Sequence, residues 1–189
     1  VVFLSCLLPF LWMAMATFGI AGLGLGPNPV ETLIHQSGLW GLRFLLITLA
    51  VTPIQRLSGL NWVVRLRRML GLFAFFYLLS HFLSYALIDQ RLAVGAIVED
   101  VLERPFITLG ILGFLMLLPL ALTSNDISLR RLGPRWRQLH RLVYVAAILG
   151  GLHFVMLVKG FQIEPLLYMA AILGLLALRL PGLRKKQSV

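Results

Sequence analysis

The stretch 137-RQLHRLVYVAAILGGLHFVMLVKG-160 sets two histidines, His140 and His153, in a run with few other polar side chains. An ionisable group inside a bilayer costs free energy, so a histidine kept in a membrane span is a functional candidate by default. Whether this run is a span depends on the solvent the whole chain is built for. Of its 189 residues, 59% are hydrophobic and 13% are charged, whereas soluble domains carry about 45–50% apolar and roughly 25% charged residues. The composition is that of an integral membrane protein. A net charge of +10 points to nucleic acid only when it forms a basic face on a soluble fold, and here the basic residues fall between apolar runs. The one cysteine, Cys6, leaves no disulfide framework and no cysteine-rich metal site within these residues.

Working outward from 137–160, six apolar segments appear, at 3–23, 38–55, 69–88, 105–123, 139–158 and 165–180. Each is near the ~20 residues that a bilayer-spanning helix needs. Short connections with Gly, Pro and Asn separate them, such as "GLGPNP" at 24–29 and "SND" at 124–126. The first segment reads as a span and not as a signal peptide, because its apolar run continues past "AMA" at 14–16 through Ile20. No internal repeat stands out. The reading is therefore an all-α integral membrane protein, a six-transmembrane-helix bundle forming one domain over 1–189.

The charges give it an orientation. Arg56, Arg65, Arg67 and Arg68 lie in one connection, Arg130, Arg131, Arg135 and Arg137 in another, and Arg179, Arg184, Lys185 and Lys186 in the tail. The alternate connections hold Glu31, Asp89, Glu99, Asp100, Glu103 and Glu164. By the positive-inside rule the basic side, with both termini, is cytoplasmic. Trp62, Trp136 and Tyr85, near span ends, read as interfacial anchors.

The chain has four histidines, His35, His81, His140 and His153. On one continuous helix His140 and His153 would lie roughly 19.5 Å apart along the axis and about 220° apart around it, so they serve different levels. His81 follows Arg68 by the same thirteen residues that separate His153 from His140. The third and fifth spans run in the same direction, which places His81 and His153 at similar depth in the outer half. Two readings stand at this point. The pair can be axial ligands of one haem iron held across a bundle, or interhelical hydrogen-bonding groups.

At the cytoplasmic end, Arg67 precedes His81 by fourteen residues and falls about 40° from its face. Arg67 with His140 suits an anion such as a propionate or a flavin phosphate, or Arg67 is one more topology-setting arginine. His35 falls just before the second segment and reads as a loop histidine at the outer surface. Arg43, inside the second segment, either snorkels outward or pairs with an outer propionate. The aromatics of "FAFFY" at 73–77 pack either a macrocycle or the protein's own core.

The motifs "LRRMLGLFAFFYLLSHFLSYALID" (66–89), "ERPFITLGILGF" (103–114), "LALTS" (120–124) and "WRQLHRLVYVAAILGGLHFVMLVK" (136–159) occur in this order. Together with "PVETLIHQSGLWGLRFLLITLAVTPI" (29–54) they resemble the MsrQ (YedZ) family, haem-binding membrane subunits of bacterial protein-methionine-sulfoxide reductase systems. More broadly they resemble the ferric-reductase-like transmembrane domain. The resemblance implies haem b and FMN as cofactors in a bacterial inner-membrane electron-transfer subunit. Quinone or a cytoplasmic flavin reductase would be the donor, and an MsrP-like periplasmic molybdenum reductase the acceptor. It also implies His81, His153 and His140 as haem-iron candidates, with Arg67 and Arg43 as cofactor-binding candidates. One departure stands out: two-haem relatives carry two histidines on each ligand helix, and the third span here has only one. No G-x-G-x-x-G fingerprint occurs, so electrons are expected from a partner. The competing readings are a stand-alone ferric or quinone reductase, a histidine-relay transporter, and a scaffold.

Overall fold

A computed structural model describes residues 1–158 and 160–179. The tail residues Arg184, Lys185 and Lys186, and position 180 of the sixth segment, lie outside the described residues. All regular structure among the described residues is helical. The helices are α1 (Val2–Thr17), α2 (Pro29–Ser58), α3 (Val63–Leu83), α4 (Val94–Glu103) and α5 (Pro105–Leu122). After these come α6 (Asp126–Leu132), α7 (Pro134–Leu139), α8 (Leu142–Leu157) and α9 (Ile163–Ala177). Beyond its α-helical part, α3 continues as a π-helix over Ser84–Asp89.

Among the described residues, four helical stretches are long and apolar enough to cross a membrane: Pro29–Ser58, Val63–Asp89, Pro105–Leu122 and Pro134–Leu157. The first and sixth apolar segments also fold as helices, but α1 has 16 residues and α9 has 15. The connections expected to be loops contain the amphipathic α4 and the short α6 and α7.

The start of α2 differs most from the hydropathy boundary, and local chemistry explains why. Asn28 is the N-cap, its side chain accepting from the Glu31 N–H at 3.4 Å and donating to the Glu31 carboxylate at 2.7 Å. Pro29 occupies the first helical position, where its missing N–H costs nothing, and Glu31 is favourable in the first turn. The helix therefore begins nine residues before the apolar run at 38, and His35 belongs to a helix and not to a loop. At the other end Gly59, at φ +71°, caps α2 by donating its N–H to the Gln55 carbonyl.

Helices that share a lipid environment gain little from hiding apolar surface, so close packing of small residues holds them together. A Cβ at Gly41 would lie 2.6 Å from Cγ of Leu78, so α2 and α3 meet where α2 has no side chain. At Gly151 of α8 a Cβ would come within 2.8 Å of Ile172 and Met169 on α9. Leu112, Leu115, Leu118 and Leu122 line the outward face of α5, exposed as a lipid-facing surface is.

Tyr77 ties α1 to this frame. The fully buried Tyr77 of α3 donates its hydroxyl to the Cys6 carbonyl at 2.8 Å and accepts from the Phe10 N–H at 3.0 Å. Those two backbone groups are four residues apart, so the phenol is inserted into the hydrogen-bond ladder of α1.

Candidate functional site

Helices α2, α3, α5 and α8 line a cavity of about 1030 Å³ that extends to the acidic end of the bundle. His81 of α3 and His153 of α8 both line it, with ring centroids 6.1 Å apart and ring planes at 76°. Its walls are mainly apolar, including Leu42, Leu78, Phe82, Phe114 and Leu117. Glu31, His35, Tyr85, Asp89 and Arg104 supply polar groups.

Backbone groups fix both imidazoles in the same way. His81 Nδ1 lies 2.8 Å from the Ile34 carbonyl of α2, and His153 Nδ1 lies 2.6 Å from the Phe106 carbonyl of α5. A carbonyl only accepts, so each Nδ1 carries the proton and each Nε2 keeps its lone pair. One helical turn past each carbonyl stands a glycine. A Cβ at Gly38 would sit 2.8 Å from His81 Nδ1, and one at Gly110 would sit 2.9 Å from His153 Nδ1. The missing side chains are what let the rings reach the carbonyls.

The two arrangements are related by a constant shift of 72 positions: 34 to 106, 38 to 110 and 81 to 153. The hairpins α2–α3 and α5–α8 are thus equivalent units, although no repeat stood out in the sequence. The signal was present but short. In both 38-GLWGL-42 and 110-GILGF-114, a Gly-x-x-Gly pair is followed by a histidine 43 residues after its first glycine. Gly38, Gly110 and the two carbonyls are site elements that side-chain chemistry alone did not single out.

The other expected residues are distributed as follows. His35 is exposed in α2 and lines the same cavity, its ring 6.1 Å from Phe154. Arg43 lies outside the cavity lining; its Nε donates to the Tyr168 hydroxyl at 2.8 Å, and its guanidinium sits 4.8 Å from the Trp40 ring centroid. Arg104, which the sequence reading passed over, is the arginine that does line the cavity. It pairs with Asp100 at 3.0 Å, and Asp100 also accepts from Tyr85 at 2.8 Å. Within "FAFFY", Phe73 and Tyr77 are core residues, while Phe75 stacks on the cavity-lining Phe114.

His140 lies apart from this cavity, at the basic end, where the chain turns between α7 and α8. The helix is interrupted there, so an angular offset measured along one continuous helix does not apply. Its ring stacks on Trp136 at 3.7 Å, and its Nδ1 is 3.0 Å from the Trp136 carbonyl. His140 Nε2 is buried, with the Leu120 carbonyl as a neighbour of the ring. Arg67 is close enough for its charge to act on His140, and it neighbours Tyr144 and Arg179. Among the described residues, no three or more His, Cys, Asp or Glu side chains group to hold a bare metal ion.

Residues 37–151 match the family described as "Ferric reductase like transmembrane component". The chain is 49% identical over 179 residues to the "Protein-methionine-sulfoxide reductase heme-binding subunit MsrQ" of Brucella anthropi, covering 93% of this chain and 81% of that protein. It is likewise 49% identical over 177 residues to the protein of the same name from Brucella ovis, covering 92% and 80%. No solved structure matches it. The matched region runs from Ser37 in α2 to Gly151 in α8 and includes His81 and His140, while the similarity to the Brucella proteins extends over nearly the whole chain. This is a membrane protein of the ferric-reductase-like transmembrane family, and within that family it belongs with the MsrQ proteins.

Proposed function

We propose that this chain is a haem-binding electron-transfer subunit, in which His81 and His153 would hold the iron of one b-type haem. The observation that carries the reading is the pair of carbonyl-anchored imidazoles on one cavity, 6.1 Å between ring centroids. Two imidazoles can both reach one metal through bonds of ~2.0–2.1 Å only when their ring centroids lie within about 6.5 Å of each other. Nδ1–H donation to a carbonyl fixes the tautomer and makes Nε2 a better ligand. A site with two protein ligands and no further chelating side chains suits an iron whose remaining positions are filled by a macrocycle. The cavity, about 1030 Å³, lies at the upper end of the roughly 300–1,000 Å³ typical of cofactor sites.

A b-type haem supplies one-electron iron chemistry when bound. The protein's residues hold the ligands in place and exclude water. Ile34 and Phe106 orient the rings, and Leu42, Leu78, Phe114 and Leu117 keep the centre apolar. Arg104 offers a guanidinium at the polar rim, and Arg43 braces α2 against α9 through Tyr168. His140 and Arg67 would serve a second cofactor, FMN, at the basic end. The buried Nε2 of His140 fits a ligand or hydrogen-bonding role there.

The topology that goes with this reading is one six-span domain in the bacterial inner membrane, with α1 and α9 as its two shorter spans and both termini cytoplasmic. Electrons would enter at the basic end from the quinone pool or a cytoplasmic flavin reductase. They would leave at the acidic end for an MsrP-like periplasmic molybdenum reductase that repairs methionine sulfoxide. The test is a reduced-minus-oxidised visible spectrum of the purified chain, with haem and flavin quantified. A sharp b-type signal is expected, and a colourless protein from haem-replete cells would refute the reading.

A further inference from the structure

We propose that Arg67, Tyr144 and Arg179 form a phosphate-binding site at the basic end of the bundle, separate from the His81–His153 cavity. Three helical elements converge there. Arg179, just past the end of α9, donates through one terminal nitrogen to the Tyr144 hydroxyl of α8 at 2.9 Å. Through the other it donates to the Leu49 carbonyl of α2 at 2.5 Å. That carbonyl is available because the residue four positions on is Pro53, which has no N–H to close the helical bond. Arg179 is thereby fixed in position with its guanidinium 5.2 Å from the Tyr144 ring centroid.

The charge around it is unbalanced. Arg67 of α3 neighbours both Arg179 and Tyr144. Among the described residues the ion pairs are Arg68–Asp126 and Arg104–Asp100, so neither Arg67 nor Arg179 is in one. Of the seven acidic residues in the chain, only Asp126 lies at this end, and it is engaged by Arg68; residues 180–189 contain none. Two guanidiniums placed together in a low-dielectric setting repel each other. In addition, Arg179 Nε is buried and has no hydrogen-bond partner among the described residues, which is unfavourable for a donor of this kind.

A phosphate answers the unbalanced charge. Its negative charge offsets both arginines, and its oxygens accept from guanidinium forks. The Tyr144 hydroxyl, which accepts from Arg179, keeps its own proton to donate. Donors arriving from α3, α8 and α9 suit the tetrahedral spread of phosphate oxygens better than a planar carboxylate. Two sources share this chemistry, the phosphate of a flavin mononucleotide and the headgroup of an inner-leaflet phospholipid. The inference rests on the proposed function only for that choice of sources.

The experiment compares phosphate-bearing probes with their phosphate-free counterparts on the purified full chain. FMN is set against riboflavin by fluorescence titration, and phosphatidylglycerol against diacylglycerol by native mass spectrometry. In at least one arm the wild type should prefer the phosphate-bearing probe by about tenfold or more, as charge-assisted hydrogen bonds to two arginines allow. Arg67→Gln and Arg179→Gln should each remove most of that preference while the b-type signal of the His81–His153 centre persists. The arm that shows the preference identifies the source. A wild-type ratio within about twofold in both arms overturns the site, whether or not any variant folds. A preference that survives in both variants overturns it too. Either failure leaves the haem spectrum, and with it the His81–His153 reading, untouched; the first failure also withdraws the FMN role given to Arg67.

Discussion

The hairpins α2–α3 and α5–α8 match closely at one end and diverge at the other. Near the acidic end each contributes the same three-part device, a helix carbonyl, a glycine one turn on, and a histidine from the partner helix. At the basic end the shift of 72 sets Arg68 against His140. Arg68 turns outward to Asp126 at 2.5 Å, whereas His140 is stacked on Trp136 with Nε2 buried. Past the histidines the two also separate. The chain after His81 continues as a π-helix to Asp89 and then turns through Arg91 and Leu92 at positive φ, while α8 ends at Leu157. Equivalence survives where two side chains must meet on one cavity, and it lapses where each hairpin has its own neighbours.

The largest effect should come from removing either histidine. His81→Ala and His153→Ala are each expected to abolish most of the b-type signal, measured as haem per chain. A variant that kept its full haem would break the functional equivalence of the two hairpins. Next come Gly38→Ala and Gly110→Ala, whose new Cβ atoms would lie 2.8 and 2.9 Å from the imidazole nitrogens. Overpacking of this kind costs about 1–3 kcal/mol, so haem retention should fall several-fold, and by similar factors in the two variants. Electron paramagnetic resonance of the oxidised protein would report the tilted ligands directly.

Tyr77→Phe sharpens the difference between the hairpins, because its counterpart under the shift is Leu149, which has no hydroxyl to lose. Removing the phenol leaves Cys6 and Phe10 without their bridge and should destabilise the protein by about 1–3 kcal/mol. This would be read by thermal unfolding in detergent, with the haem spectrum unchanged. The smallest effect is expected from Arg43→Lys, which loses the bond to Tyr168, worth about 0.5–1.5 kcal/mol. Its haem content should match the wild type. A marked loss of haem would instead place Arg43 among the cofactor's own contacts.

Much of this was legible before any coordinate. The membrane class, the helical segments and the standing of His81, His140 and His153 as candidates all came from composition, spacing and resemblance. The Asn-Pro-Val-Glu start of α2 was legible too, as a capping sequence. Reading hydropathy alone concealed it and put His35 in a loop. By sequence alone Arg179 is one of several topology-setting tail charges. Nothing in its sequence neighbourhood says that a proline-freed carbonyl 130 residues away would hold it.

By itself the sequence determined the solvent and the inventory. Transfer free energies add residue by residue, so an apolar composition commits segments to lipid whatever their neighbours, and an ionisable group retained there stands out. Tertiary structure alone decided which carbonyl holds each imidazole, which glycines open the way to it, and which arginines share a corner. Those contacts join residues 47 to 130 positions apart, and they exist only once helices pack closely enough for a missing Cβ or a missing N–H to matter.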